Sequence, residues 1–265
     1  MKQYRLIALD LDGTLLNSGM RLSEVNQDAL RKATDAGAKV VLATSRWFGL
    51  AKRTADRLGL DTPIICSNGA EARYPDGREV FHLPLNAEAA REIVTWGDDH
   101  GWEMFTTAGA STYMNNRPGI IPEKLPGGLK VAERQSDHLG EGDPTCVQVW
   151  QEASVQQVAE RFAPKYSGRV RFSFNTPIGQ PHYVVITHPD AEKAKALAKV
   201  CETLGVSAEE TIAMGDSESD LAMLRWAGLG IAMRNSPDVV RKEALHIAPS
   251  NDEDGVAWAV TRFLL

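Results

Sequence analysis

Cysteine is scarce in this chain of 265 residues: Cys66, Cys146 and Cys201 are the only three, and no Cys-x-x-Cys pair occurs. An odd, sparse set excludes a disulfide framework, points to the reduced thiols of a cytosol and leaves no zinc-ligand spacing. Long apolar runs are missing too. Met1-Lys2-Gln3-Tyr4-Arg5 leads into only a short apolar stretch before Asp10. That is too short for the core of a signal peptide, and no stretch approaches the ~18 apolar residues of a membrane span. The expectation is a cytoplasmic protein with no membrane partner. Blocks of like charge are absent as well. With 29 basic and 35 acidic residues the net charge is −6, and nothing marks a surface for nucleic acid or anionic lipid. An anionic substrate would therefore need a local positive site, a metal with a few basic or amide donors. What is present, 43% hydrophobic and 24% charged residues, is ordinary for a globular protein. The length suits one elaborated domain or two modest ones.

Apolar runs that stop abruptly organise the chain. Arg5 to Leu9 runs without a break into Asp10, which suits a strand buried on both faces of a parallel sheet. Ser23 can cap a helix in which Val25, Ala29, Leu30 and Ala33 recur at helical spacing until Gly37. Ala38–Ala43 reads as a second buried strand, Trp47–Leu58 as a second helix and Pro63–Cys66 as a third strand. The tail resumes this alternation with a helix over Ala191–Leu204, a strand over Thr211–Met214, a helix over Glu218–Ala227, strands at Leu229–Met233 and Leu245–Ala248, and a last helix over Gly255–Leu264. Between them the grammar changes. Asn86–Asp99 reads as a helix, and Trp102–Thr107 with Ser111–Asn115 as a hairpin. Residues 116–144 read as loop and Thr145–Gln151 as a strand. Ser154–Tyr166 reads as a helix, followed by strands Arg169–Phe174 and His182–Thr187. The expected fold is α/β: a doubly wound, Rossmann-like parallel core of residues 1–83 and 187–265, with an inserted α+β domain of residues 84–186.

Four small signals stand at strand ends, where open α/β sheets build their sites. In Asp10-Leu11-Asp12-Gly13-Thr14 the two aspartates lie two apart, on one side of an extended chain, and Gly13 permits a sharp turn. Alone, this also reads as two turn-forming aspartates beside a glycine. Thr44-Ser45-Arg46 precedes a helix, where a hydroxyl and free amides suit an anion; equally, Thr44 or Ser45 simply caps that helix. Lys193 lies near the start of a helix. A solvated charge is the ordinary reading, although a lysine at the positive end of a helix is better explained by an anion nearby. In Gly215-Asp216-Ser217-Glu218-Ser219-Asp220, Glu218 and Asp220 suit a helix start, whereas Asp216 falls at a strand end like Asp10. Oxygen donors without a Cys or His cluster suit Mg²⁺ rather than zinc.

Together these groups supply what phosphoryl transfer requires, which is positioning and charge neutralisation. A carboxylate can act as nucleophile and give an aspartyl-phosphate. A divalent cation must then lie between Asp10 and a dianionic phosphate, with the lysine and the Thr/Ser donors on the remaining oxygens. A second carboxylate two residues on can protonate the leaving alcohol and later deprotonate water.

At this point the chain resembles a haloacid-dehalogenase-superfamily phosphatase of the Cof type, whose caps are large α/β insertions. The resemblance rests on Asp10-Leu11-Asp12-Gly13-Thr14, Ala43-Thr44-Ser45-Arg46, Ser67-Asn68-Gly69-Ala70, Lys193, Gly215-Asp216 with Asp220, and Ser250-Asn251-Asp252-Glu253-Asp254-Gly255-Val256-Ala257. It implies that Asp10 is nucleophile and Mg²⁺ ligand. Asp12 would be general acid/base and lend its backbone carbonyl to the metal, Asp216 would complete the protein ligands, and Asp220 would steady them. Thr44, Lys193 and the amides of Leu11 and Ser45 would hold the phosphate. The chain departs from the family pattern at Ser45, Ala194 and Ser219, in place of Gly, Gly and Asn; Ser219 would reach phosphate through water. The implied activity is Mg²⁺-dependent hydrolysis of small phosphorylated metabolites, sugar phosphates or related cofactors. A phosphomutase would use the same residues, and a non-catalytic phosphometabolite-binding module is the reading from a different class. The sequence carries no signal for oligomeric state.

Overall fold

A computed structural model describes residues 4–116, 120–121, 125, 127–175 and 182–265. The chain begins with β1 (Leu6–Leu9), buried at every position, then α1 (Glu24–Asp35), β2 (Lys39–Leu42), α2 (Phe48–Leu58) and β3 (Ile64–Cys66). Ser23 starts α1 with its Oγ accepting from Asn26 N at 3.1 Å, which satisfies an amide that a helix start leaves unpaired. β3 then leads into β4 (Glu71–Arg73) and β5 (Glu79–His82), and the three form a small sheet of their own. The short third strand expected at Pro63–Cys66 is present as β3, and an isolated bridge of Ala43 with Ile65 is its tie to the core strands. Charged Glu71, Arg73 and Glu79 break the apolar run over β4 and β5, so neither strand has a readable period.

The middle of the chain contains α3 (Ala87–Asp99), β6 (Glu103–Ala108), β7 (Ser111–Asn115), β8 (Leu129–Ala132), β9 (Pro144–Trp150), α4 (Glu152–Gln157), α5 (Ala163–Lys165), β10 (Arg171–Asn175) and β11 (Tyr183–Thr187). Among the described residues its six strands form one sheet in the order β10-β11-β9-β6-β7-β8, antiparallel except for β7 with β8. Met104, Val147, Val149, Val184 and Ile186 share a core with Ile93, Val94 and Phe162. The loop expected over residues 116–144 is corrected by β8 and a 3₁₀ turn at Gln135–His138; part of that stretch, 117–119, 122–124 and 126, lies outside the described residues. The short β8 follows two glycines, so pairing with β7 rather than local propensity forms it. The helix expected over Ser154–Tyr166 is interrupted by a π turn at Val158–Phe162, where Pro164 has no N–H to continue the ladder.

The tail supplies α6 (Lys193–Leu204), β12 (Thr211–Gly215), α7 (Leu221–Trp226), β13 (Leu229–Met233), α8 (Asp238–Arg241), β14 (His246–Ala248) and α9 (Gly255–Phe263). Here β1, β2, β12, β13 and β14 make a parallel sheet in the order β14-β13-β12-β1-β2. The first strands step away from β1 to one side and the last ones to the other. The switch in direction falls between β1 and β12, where doubly wound sheets open a crevice at their carboxyl ends. Contacts divide the chain into two compact units: residues 1–44, 51–81 and 192–265, and residues 45–50 with 82–191. Among the described residues no helix is long and apolar enough to cross a membrane.

Candidate active site

The parallel register brings Asp10 and Asp216 together from opposite ends of the sequence. Leu9 pairs with Met214, and Asp10 N donates to Met214 O at 3.0 Å. Both aspartates therefore leave neighbouring strands at the switch point. Gly13 turns the chain at φ +82°, and a Cβ there would collide with the Asp216 carboxylate. That close approach lets Thr14 Oγ1 donate to Asp216 Oδ1 at 2.9 Å, while Asn235 Nδ2 holds the Gly13 carbonyl at 2.8 Å.

Lys193, the first residue of α6, is 3% exposed. Its ammonium donates to Asp10 Oδ1 and to Asp220 Oδ1, each at 2.7 Å. Asp220 is completely buried, and its Oδ2 accepts from the backbone of Asp216 and Ser217 and from Ser217 Oγ at 3.0–3.1 Å. It thus closes a capping box on the loop that carries Asp216. Asp10, Asp216 and Asp220 each bring a carboxylate oxygen within 4.8 Å of the others. Three carboxylates share one ammonium, and burial in a low-dielectric site penalises the excess negative charge. Burial pushes the Asp10 carboxyl well above its usual range; Lys193 pulls it down, and the charges of Asp220, Asp216 and Asp12 raise it again. Burial, reinforced by Asp220, pushes Asp216 up to about 7. Burial also acts against the Lys193 charge, but Asp10 and Asp220 more than offset it and hold the ammonium above the ordinary lysine range.

Asp12 is half-buried, and its charge is felt by both Asp10 and Asp216. Leu11 is buried, and its carbonyl accepts from Leu16 N at 2.8 Å. Thr44 is fully buried one residue beyond the point where Ala43 N meets Leu9 O at 2.8 Å. Ser45 falls in the second unit, where its carbonyl accepts from Gln148 Nε2 at 2.8 Å. Ser219 is tied to Ser217, Oγ to Oγ at 2.8 Å, rather than to Asp10 or Lys193. Sequence reasoning missed Thr14, Ser217 and Asn235 as parts of the site. Ser217 was open to discovery as the start of a Ser-x-x-Asp cap, and Asn235 as a polar residue just past a parallel strand; Thr14 carried no signal beyond its place in the first motif.

An all-oxygen donor set with surplus negative charge fits a divalent, oxygen-seeking cation. Among the described residues, hydrogen bonds engage only Oδ1 of the Asp10 and Asp216 carboxylates.

Residues 7–260 match the model of the haloacid dehalogenase-like hydrolase family. The chain belongs to that family. It is 32% identical to the 5-amino-6-(5-phospho-D-ribitylamino)uracil phosphatase YcsE of Bacillus subtilis, over 98% of this chain and 96% of the relative. It is 26% identical to the pyridoxal phosphate phosphatase YbhA of Escherichia coli, over 98% and 99% of the two chains. The solved structure of a haloacid dehalogenase-like hydrolase from Bacteroides thetaiotaomicron superposes with a TM-score of 0.84 at 27% identity, covering 98% of this chain and 99% of the other. The enzyme class reached from the residues, phosphoric monoester hydrolase, agrees with the names of these relatives.

Proposed function

We propose that this family member is a Mg²⁺-dependent phosphatase that hydrolyses small phosphorylated metabolites through an aspartyl-phosphate on Asp10. The observation that supports it most is the Lys193 ammonium 2.7 Å from both Asp10 and Asp220, with Asp216 in the same cluster. The surplus of two negative charges is what one divalent cation cancels. Asp10, Asp216 and the Asp12 carbonyl would hold the Mg²⁺. Asp220 has both oxygens occupied by protein donors and so steadies the lysine and the Asp216 loop. When bound, the ion lets a dianionic phosphate approach a carboxylate nucleophile.

In the first half-reaction an Asp10 oxygen attacks phosphorus, the ester P–O bond breaks, and protonated Asp12 gives its proton to the leaving alkoxide. In the second, the Asp12 carboxylate takes a proton from water as that water attacks phosphorus. The P–O bond to Asp10 breaks, leaving inorganic phosphate and a regenerated carboxylate. Lys193, Thr44 and the amides of Leu11 and Ser45 hold the non-bridging oxygens, and Ser219 reaches them through water. Residues 84–186 act as the cap that selects the leaving group. The two relatives above are named for a phosphorylated ribitylaminouracil and for pyridoxal phosphate, which supports small organic monoesters as the substrate class.

The test is a turnover screen of phosphorylated sugars, nucleotides and cofactors with Mg²⁺. Free phosphate should appear, stop on chelation with EDTA and return with Mg²⁺. Isomerised substrate without free phosphate would mean a mutase, and turnover indifferent to metal would refute the role of the cation.

A further inference from the structure

The segment Ser67-Asn68-Gly69, between β3 and β4, has no part in the chemistry above, yet its backbone is unusual. Three successive residues adopt positive φ: Ser67 at +51°, Asn68 at +56° and Gly69 at +92°. Side-chain-bearing residues rarely enter that region, and two in succession persist only where the surroundings hold them. Ser67 and Asn68 are buried, so this is no surface turn. On one side, Asn68 N donates to Thr44 O at 3.1 Å, and Thr44 N in turn donates to Ile65 O at 2.9 Å. On the other side, Gly69 lies against the backbone of Glu192, the residue that caps α6 just before Lys193. A Cβ on Gly69 would sit 2.5 Å from Glu192 O, 2.6 Å from its carbonyl carbon and 3.0 Å from its nitrogen. No rotamer change relieves a clash with three backbone atoms.

We propose that the Ser67–Gly69 turn is a positioning element: a rigid spacer that sets the distance between Thr44 and Lys193, and so the width of the phosphate grip. The proposal rests on the reading of those two residues as phosphate holders. Its contacts with Thr44 and Glu192 are made through backbone. Gly69 is needed because only a residue without Cβ lets the turn touch Glu192. Asn68 is suited because, glycine aside, it is among the residues that best tolerate left-handed backbone; its side-chain Oδ1 is buried and takes no hydrogen bond among the described residues, so its amide does not hold the turn together.

The test is competitive inhibition by inorganic phosphate of p-nitrophenyl phosphate hydrolysis, on the Mg²⁺-loaded full chain. Gly69→Ala should raise the inhibition constant and KM about tenfold or more through a sub-ångström shift of Lys193. Gly77→Ala is the control. Gly77 has the same φ of +92°, but a Cβ added to it would meet nothing within 4 Å, so it should lose thermal stability while the phosphate constant stays put. Should Gly69→Ala fail to fold, Asn68→Ala and Asn68→Gly ask the same question. Both remove the amide, but only alanine strains the turn, so alanine should weaken phosphate binding more. Equal effects at Gly69 and Gly77, or at both Asn68 variants, would overturn the proposal. Lys193→Ala run in parallel separates the two levels: if it leaves phosphate inhibition unchanged, the phosphate-grip reading itself has failed.

Discussion

Two groups of charged and polar side chains in this chain have opposite electrostatic character. In the first unit, Asp10 and Asp216 are pushed up by burial and by neighbouring carboxylates, Asp220 foremost. In the second, Glu92 takes hydrogen bonds from Lys165 and from the buried Tyr166, and Glu141 takes them from Tyr113 and His138. Those donors hold both glutamates below the usual carboxylate range, while burial and then Glu92 push Tyr166 up to about 12. Every charge in the second group has its donor, so the group is a finished structural contact. The first is left with surplus charge, which costs folding free energy and is what a bound cation would offset under the proposed function. On the proposed function, the unbalanced carboxylates at strand ends are the working site and the balanced ones are scaffolding.

The sharpest way to break this contrast is Asp10→Asn. Turnover should fall at least about a thousandfold if Asp10 is the nucleophile, as proposed. In EDTA the same variant should unfold at a higher temperature than the parent, since one surplus buried charge has been removed. A drop in stability would mean the cluster is balanced after all. Lys193→Ala should act in the opposite sense, costing about 3–5 kcal/mol because Asp10 and Asp220 lose their shared cation, as read from denaturant unfolding. The pH dependence sharpens the comparison further. Asp216 titrates near 7 when folded and near 4 when unfolded, so between those values the folded chain binds more protons. The metal-free protein should therefore lose stability as pH rises from about 4 to 7, and this slope should shrink with Mg²⁺ or in Asp216→Asn. The smallest effect belongs to the scaffold: Tyr166→Phe should cost about 1 kcal/mol of stability and leave turnover unchanged. Impaired turnover in that variant would blur the line between the two groups.

Most of the site was legible because parallel strands end abruptly. The apolar runs before Asp10 and before Gly215 mark both strand ends without any knowledge of their pairing, and β1 beside β12 then follows from a doubly wound order. The shared use of Lys193 by Asp10 and Asp220 was not legible, since it depends on how α6 packs against the sheet. For the same reason the local pattern alone read Asp220 as a helix-start acid; only the family resemblance gave it the steadying role, which its two oxygens fill by closing the loop and holding the lysine. In the second unit, β8 was invisible because a four-residue strand beside glycines owes its form to its neighbour β7. The π turn before α5 was signalled by Pro164 alone. Local pattern shows where the backbone stops; which polar groups then meet is decided by tertiary packing.

The central claim is that Asp10 carries the phosphoryl group, and trapping that adduct tests it most directly. The Mg²⁺-loaded enzyme, turning over substrate, is quenched, reduced with borohydride and digested, and its peptides are read by mass spectrometry. An acyl phosphate at Asp10 would be reduced to homoserine at that position, and the account predicts this product in the parent and its absence when substrate is omitted. Unmodified Asp10 together with sustained release of phosphate, or reduction at a different carboxylate, would contradict it.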